Sequence, residues 1–375
     1  MKRRAVLHQL AAGASALALP ALAQSDRRIL LGQSAPLTGS AAQLGIQFLS
    51  GAKLAFERAN ARGGINGRNV ELRSMDDGYE PARCQANTQA LLNEDVLALF
   101  GYIGTPTSLA ALPLATAARV PFVAPFTGAQ ALRDPFNRYA FHLRASYYDE
   151  TARIVNQVTQ VGMKRVAVFH QNDSYGQAGL DGVLRALKAV QLEPVATATV
   201  ERNSADVSAA LERLLPSRPE AIVQVSAYKS CAAFVRAARK AGYAGQFYNV
   251  SFVGTQALAD ELGPDARGVV VSQVMPYPFA PVSALANEFL GAAQSLQHDA
   301  AGDVAFDAAV VGRDLGLGRR RRAGAALSRE ALIAGLESIQ NLDLGGFFVD
   351  FNPRKRVGSS FVDLTILDGS GNVRR

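Results

Sequence analysis

From residue 28 onward, short apolar runs alternate with amphipathic stretches that have helical spacing. Residues 47–61 are typical, because Phe48, Ala52 and Ala59 fall on one face of a helix. The apolar runs predict buried strands. Strands separated by helices of about 10–15 residues indicate βαβ units and a parallel sheet. The pattern therefore predicts an α/β fold.

The predicted elements form two consecutive α/β sections of similar layout, followed by a C-terminal third. Strands are expected at 28–36, 69–77, 95–102, 120–126, 165–172, 194–200, 221–227, 245–252 and 268–276, with β-like segments at 345–352 and 360–368. Helices are expected at 47–61, 81–94, 106–118, 149–162, 176–190, 206–215, 229–241, 281–296 and 328–339. A length of 375 residues, 49% of them hydrophobic, suits a soluble globular protein of about two domains.

Residues 1–23 differ from the rest of the chain. Three cations near the start precede an apolar, alanine-rich stretch, and a small-x-small motif ends at Ala23. This arrangement predicts a cleavable secretory signal peptide, and therefore an exported protein. Beyond it, we expect no segment long enough to span a membrane.

The formal net charge of +7 falls to +4 when residues 1–23 are removed, because they carry three cations and no acid. Four of the remaining cations are adjacent, at 319–322. The sequence has no basic stripe interleaved with aromatic residues, so we expect no nucleic-acid partner.

The stretch "GYIGTPTS" joins a predicted strand to a predicted helix. It contains Tyr102, Thr105 and Thr107. Unpaired amides and the helix dipole at a helix N-terminus attract an anion, and a loop of glycine and hydroxyls allows close approach. The segment predicts a carboxylate site without a charged side chain. A plain N-cap by Thr105 before Pro106 is the alternative on this motif alone.

Three further loops at strand ends carry polar or aromatic residues. One contains Phe126, Thr127 and Gly128; the others contain Tyr175 and Tyr228. Each residue alone could simply cover a loop. In open α/β sheets, however, ligands bind at the carboxyl ends of strands. Together the loops predict a ligand site in a cleft between the two α/β sections.

Catalytic and metal-binding interpretations have little support in the sequence. His142, His170 and His298 lack metal-ligand spacing, and no P-loop, dinucleotide fingerprint or nucleophile elbow is present. Asp76 and Asp77 follow a strand and could bind a metal, although polar residues at a strand end are the simpler interpretation. We expect no enzyme activity, cofactor or metal.

The two cysteines, Cys84 and Cys231, fall in predicted helices of different sections. An exported protein could oxidise them. Two buried or partly buried free thiols are the simpler expectation.

Several segments in a fixed order resemble the periplasmic ligand-binding receptors of branched-chain amino acid ABC transporters. These segments are "SAPLTGSAAQLGIQFLSGAKLAFERANARGGINGR", "DDGYEPARC", "GYIGTPTS", "VPFVAPFTGA", "FHLRASY", "NDSYGQAGLDG" and "SFVGTQAL". The resemblance covers residues 28 to about 300 and 327 to 371. It implies a type I periplasmic binding protein fold, with two Rossmann-like lobes that have parallel-sheet cores and are joined by a three-crossover hinge.

The resemblance also implies how the chain divides. The first lobe would comprise 28–145 and about 276–348, and the second 146–275 and about 349–375. Membrane permease subunits of an ABC transporter would be the partner, and the protein would be a periplasmic monomer. We expect hinge closure on a small carboxylate-bearing ligand, an amino acid or a related organic acid or amide.

The family's binding residues carry over position by position. Thr105 matches the loop that holds the ligand carboxylate, and the segment from Phe126 to Gly128 matches the second strand-end loop. Tyr175 and Tyr228 match second-lobe aromatics that close over the ligand.

Two positions depart from the family pattern. Ser251 stands where amino-acid-binding members often have an acid for the α-ammonium, and Leu44 stands where some have a large aromatic residue. A buried ammonium without a partner would cost several kcal/mol. A ligand that lacks an ammonium group is therefore an alternative to an amino acid.

Residues 303–326 also differ from the family pattern. Residues 303–311 indicate the start of a helix, but glycines at 312, 316 and 318 interrupt it, and with the arginines at 319–322 they oppose a regular element. The segment is either a genuine insertion or the product of a local reading-frame disturbance.

Two other functions remain as alternatives. One is a ligand-sensing regulator of the same fold. The other is an α/β enzyme acting on a small acid.

Overall fold

The computed structural model describes residues 28–279, 283–296, 302–314 and 327–375. The signal-peptide prediction, His298 and the arginines at 319–322 lie outside these residues. The chain folds into two lobes, each built on a sheet with a parallel core.

The first lobe has a five-stranded parallel sheet in the order β2-β1-β3-β4-β5. Its strands are β1 (Arg28–Ala35), β2 (Asn69–Asp76), β3 (Ala98–Phe100), β4 (Phe122–Val123) and β5 (Ala140–Phe141). Its first helices are α1 (Ala42–Ala61), α2 (Pro81–Asn93) and α3 (Thr105–Ala117). Helix α1 begins earlier than the predicted residue 47.

The second lobe follows, with a seven-stranded sheet in the order β14-β13-β10-β9-β8-β6-β7. Its first elements are α4 (Tyr147–Gln160), β6 (Val166–Gln171), α5 (Ser174–Ala189), β7 (Ala196–Val200), α6 (Ser208–Leu214), β8 (Ala221–Val225), α7 (Tyr228–Lys240), β9 (Gln246–Asn249), α8 (Thr255–Leu262) and β10 (Val270–Gln273). Strands β6 and β8 are fully buried, as expected for parallel strands covered on both faces.

The C-terminal third contributes to both lobes. It forms α9 (Ala284–Ser295), α10 (Gly302–Asp314), α11 (Arg329–Glu337), β11 (Leu342–Asp343), β12 (Phe348–Val349), β13 (Asp363–Leu367) and β14 (Val373–Arg374). Helix α10 packs along α1 of the first lobe, and β13 joins the second sheet antiparallel to β10. The chain therefore passes between the two sheets three times.

The last passage between the two sheets lies between β12 and β13. Phe351 packs against Phe141 of the first lobe, with ring centroids 5.6 Å apart, and the His142 amide donates to the Arg356 carbonyl at 2.8 Å. Phe351 and Arg356 thus contact the first lobe before the chain enters β13 of the second sheet, and the division near residue 349 stays a prediction.

Helix α10 corrects a second expectation. A helix was expected to begin within residues 303–311 and to be interrupted at Gly312, yet α10 includes Gly312 and runs to Asp314. Val304, Phe306 and Val310 of this helix are buried. Burial of these side chains outweighs the cost of about 1 kcal/mol for a glycine within a helix. The remainder of the segment, 315–326, lies outside the described residues.

Candidate functional site

The start of α3 brings buried hydroxyl groups to the carboxyl end of β3. Gly104 precedes the helix at φ +99°, a conformation that favours glycine, and a Cβ there would lie 2.3 Å from the Tyr79 ring. The Oγ1 atoms of Thr105 and Thr127 are 2.6 Å apart and share a hydrogen bond. Both side chains are buried. We call Thr105 and Thr127 the hydroxyl pair.

Thr107 differs from its neighbour. Its hydroxyl donates back to the carbonyls of Ile103 and Gly104, the second at 3.1 Å, so the helix itself satisfies it. The backbone amides of the first helical turn have no acceptor within the helix, by its geometry. Thr107 can therefore offer its amide, rather than its side chain, to a ligand.

The second strand-end loop sits beside this helix start. The hydroxyls of Thr127 and Tyr147 are 3.3 Å apart, and the Gly128 carbonyl accepts from the Tyr147 amide at 2.8 Å. Phe126 is buried in the same loop. Burial raises the pKa of the Tyr147 phenol to about 12, so it stays protonated and can donate.

Aromatic rings from both lobes meet in front of the hydroxyl pair. The Phe252 ring, from the second lobe, lies 5.7 Å from Phe126 and 6.0 Å from Tyr79, both of the first lobe. The centroid of the Tyr175 ring lies 4.6 Å from that of Phe252 and 5.5 Å from that of Tyr147. We call these five rings the interlobe aromatic cluster.

Tyr175 has a buried hydroxyl without a hydrogen-bond partner among the described residues. Unsatisfied buried polar groups are rare in folded proteins, and a ligand is one explanation for such a group. Asp173 positions Tyr175, because its carboxylate caps α5 and accepts from the Tyr175 amide at 2.9 Å.

Tyr228 begins α7 and is buried, with its hydroxyl in hydrogen-bonding contact with the backbone of Gln43. Leu44, the next residue of α1, is also buried and packs against Gly254 of the second lobe. Both residues therefore lie where the two lobes touch.

Tyr102 has a different environment from the other candidates. Its ring packs on Phe122 at 4.9 Å, and its hydroxyl accepts from Thr88 at 3.1 Å. It belongs to a core cluster with Cys84 and Leu91 between the sheet and α2. We therefore leave Tyr102 out of the candidate site.

Ser251 is held by two charged groups. The Arg144 guanidinium donates to the Ser251 hydroxyl at 2.6 Å, and the Ser251 amide donates to Glu150 at 2.7 Å. Glu150 also accepts from Ser272 at 2.5 Å, and burial raises the pKa of its carboxyl group. The position after β9 carries no acid, but Glu150 of α4, from a distant part of the sequence, lies beside Ser251.

Arg144 links this group to the aromatic cluster. Its guanidinium carbon lies 3.9 Å from the centroid of the Phe126 ring, within the range of a cation–π contact. Arg144 lies between β5 and α4, where the chain first passes between the lobes. Phe126 and Ser251 are thus joined across the hinge by one side chain.

The metal interpretation of Asp76 and Asp77 gains no support. Asp76 accepts from the Leu37 amide, the Thr38 hydroxyl and Arg83, while Asp77 accepts from Ser34. Within the described ranges, no group of three or more His, Cys, Asp or Glu side chains could hold a metal ion.

Both cysteines are free and buried, as the sequence predicts. Burial raises the pKa of each thiol, so neither is poised to react as a thiolate.

The sequence interpretation missed several residues of this region. Tyr79, Tyr147 and Phe252 complete the interlobe aromatic cluster, and Arg144 and Glu150 form the charged group. Tyr79 and Phe252 each lie within or next to a segment used for the family resemblance. Their position next to strand ends is a signal that could have identified them.

The family profile described as Periplasmic binding protein matches residues 28–362. A solved structure of a possible leucine/isoleucine/valine-binding protein from Rhodopirellula baltica SH 1 is 33% identical, with a TM-score of 0.87. That match covers 93% of this chain and 96% of the other.

Two relatives are more distant in sequence. An amino acid binding protein of Pseudomonas aeruginosa is 26% identical over 238 residues, 63% of each chain. The Leu/Ile/Val-binding protein of Escherichia coli K12 is 24% identical over 73% of this chain and 75% of the other.

These matches and the two-lobed fold define a class of bilobal ligand-binding proteins. The chain belongs to the periplasmic binding protein family. None of the helices in the described ranges has the length and apolar character to cross a membrane.

Proposed function

We propose that this protein is an exported solute-binding protein that holds a small carboxylate-bearing ligand in the cleft between its lobes. The observation that carries the proposal is the buried hydroxyl pair, Thr105 and Thr127, at the N-terminus of α3. Hydroxyls and first-turn amides bind an anion there without a counter-ion, aided by the helix dipole.

The interlobe aromatic cluster supports closure around the ligand. Phe252 of the second lobe packs against Phe126 and Tyr79 of the first, and Tyr175 packs on Phe252, so a ligand on the hydroxyl pair would be enclosed. A ligand that contacts both lobes shifts the equilibrium toward the closed form. The protein binds and releases its ligand without chemical change.

The ligand class includes amino acids and related organic acids or amides. The names of the relatives point to amino acids. Glu150 adds a carboxylate near the cleft, beside Ser251. Zwitterionic amino acids therefore belong in the test beside acids that lack an ammonium group.

Delivery to an ABC transporter is part of the proposal. Membership of the periplasmic binding protein family supports a periplasmic location and permease subunits as partners. The predicted signal peptide, residues 1–23, supports export.

Thermal-shift and calorimetric titrations of residues 24–375 test the function. The panel comprises leucine, isoleucine, valine and phenylalanine, with their deaminated acids and their carboxamides. A ligand at 100 times its Kd stabilises the fold by about 2.7 kcal/mol, which gives a clear rise in Tm. Thr105→Val and Thr127→Val should weaken binding about 10- to 100-fold, because each removes a hydrogen bond to a charged group.

Thr159→Val is the matched control, since its hydroxyl donates to the Val155 carbonyl near the far end of α4. It should leave the Kd unchanged. Full affinity in both hydroxyl-pair variants would contradict the site. Carboxamides that bind as well as the acids would contradict the need for a carboxylate and would leave an amide as the ligand.

A further inference from the structure

Glu80 of the first lobe is held by two residues of the second. The Arg202 guanidinium donates to one Glu80 oxygen at 2.9 Å, and the Asn203 amide donates to the other at 2.7 Å. The Ser40 hydroxyl, also in the first lobe, donates to the Asn203 side-chain oxygen. Residues 202–203 follow β7, so this set of contacts joins the two lobes directly.

Asp303 makes a second polar connection. It lies in the first turn of α10, and its carboxylate accepts from the backbone amides of Thr255 at 2.8 Å and Gln256 at 3.2 Å. Those amides begin α8 in the second lobe. A carboxylate of the first lobe therefore accepts hydrogen bonds from the amides at the N-terminus of a second-lobe helix, where a negative charge is favoured.

We propose that Glu80 and Asp303 are closure residues, which favour the closed form even before a ligand arrives. The proposal rests on hinge closure as proposed above. All their partners named here belong to the other lobe, so these bonds are lost when the lobes separate. An interaction present only in the closed form raises the population of that form. It therefore also raises the apparent affinity for any ligand that binds the closed form.

The two residues differ in their sensitivity to salt. Glu80 and Arg202 keep 42% and 26% of their side-chain surface exposed, so dissolved ions screen their attraction. Asp303 is buried, and its bonds to backbone amides are screened less. Added salt should therefore weaken the Glu80 contact first.

Small-angle X-ray scattering of residues 24–375 without ligand, from 50 mM to 1 M NaCl, tests the proposal. Glu80→Gln should raise the radius of gyration at low salt, because its amide NH₂ faces the donors of Arg202 or Asn203. The closed-to-open ratio should fall about two- to fivefold, the range for a partly exposed ion pair. Wild-type protein should approach the variant's radius as salt increases.

Glu71→Gln is the matched control. Glu71 pairs with Arg28 at 3.1 Å within the first lobe, with both side chains exposed, so its loss should not change the radius of gyration. Asp303→Ala should also expand the protein, with less dependence on salt. If Asp303→Ala fails to fold, Glu80→Gln still decides the result.

Equal radii for wild type and Glu80→Gln at every salt concentration would overturn the proposal. An equally large expansion in Glu71→Gln would also overturn it, because the effect would then reflect general charge loss. The thermal shifts described above test ligand binding separately. If those shifts persist while Glu80→Gln has no effect, this proposal fails and the proposed function stands.

Discussion

Asp76 and Asp77 are adjacent in the chain, but their carboxyl groups have opposite pKa shifts. Desolvation by burial raises the pKa of Asp77 to about 6, although Ser34 and the Tyr79 amide donate to it. For Asp76, desolvation is outweighed by hydrogen bonds from Thr38 and backbone amides and by Arg83, and the pKa falls to about 2. The two carboxylates therefore affect stability in opposite directions.

The raised pKa of Asp77 gives a prediction with a definite sign. Between pH 3.8 and about 6 the folded chain binds this proton more tightly than the unfolded chain, so this group's contribution to stability falls as pH rises. At pH 7, Asp77→Asn should gain up to about 3 kcal/mol in the free energy of unfolding. Urea denaturation at pH 4, 5, 6 and 7 measures both effects.

Asp76→Asn, at the neighbouring position, is the variant for comparison. It should lose stability at pH 7, because the ionised form of Asp76 is the one that the fold favours. A loss of stability in Asp77→Asn at pH 7 would contradict the argument.

At the scale of elements, α1 and α10 lie in close contact. A Cβ built on Gly51 of α1 would lie 1.8 Å from the Ala305 carbonyl oxygen of α10. The absence of a side chain at this position lets α10 lie directly on α1. The buried face of α10 thus depends on one glycine of a neighbouring helix.

Gly51→Ala should destabilise the protein by about 1–3 kcal/mol, because the added methyl group forces the helices apart. Gly291→Ala in α9 is the control, since nothing lies within 4 Å of its added Cβ. Its expected effect is a gain of up to about 1 kcal/mol from helix propensity. Thermal unfolding of both variants distinguishes an effect of packing from an effect of helix propensity. An equal change in stability in the two variants would contradict a specific contact at Gly51.

Most helices and strands could be predicted from sequence, because their signals are local. The fully buried β6 and the amphipathic α7 are examples. Helix α8 was missed because it has only eight residues. The start of α10 was recognised, but its glycines concealed its continuation to Asp314. In both cases the stabilising contacts come from elsewhere in the chain.

The candidate site was predicted less completely than the fold. Thr105 and Thr127 could be found because a strand-end loop before a helix has a recognisable composition. Glu150 gave no such signal, since its contact with Ser251 joins segments far apart in sequence. Phe252 follows a strand, but its contact with the Phe126 ring could not be predicted from that position alone. Tyr102 shares a loop with Thr105, but its side chain packs in a core cluster with Cys84 of α2 and Ala111 of α3.

At the scale of the whole molecule, the two lobes lie in contact, with Leu44 against Gly254. Gly254 has φ +72°, and a Cβ there would lie 2.5 Å from the Leu44 Cδ2 atom. The contact joins α1 of the first lobe to the segment before α8 of the second. A side chain added at this position opposes closure more directly than it opposes the folding of either lobe.

Gly254→Ala should therefore weaken ligand binding, with a higher Kd in calorimetric titration. Leu44→Ala in the same chain should recover part of the affinity, because the smaller side chain makes room for the added methyl group. The positive φ disfavours alanine in both variants, so the difference between them isolates the contact. A double variant no better than Gly254→Ala would contradict this explanation.

The three passages between the sheets also determine when each lobe can be completed during synthesis. When residue 275 has been made, the first sheet has all five strands, but α1 still lacks its cover, α10. The second sheet lacks β13 and β14, which form one edge and end at residue 374. The first lobe lacks its cover until α10 has been made and the second lacks its edge until β14 has been made, so a nascent chain exposes apolar surface on both lobes until these late elements are available.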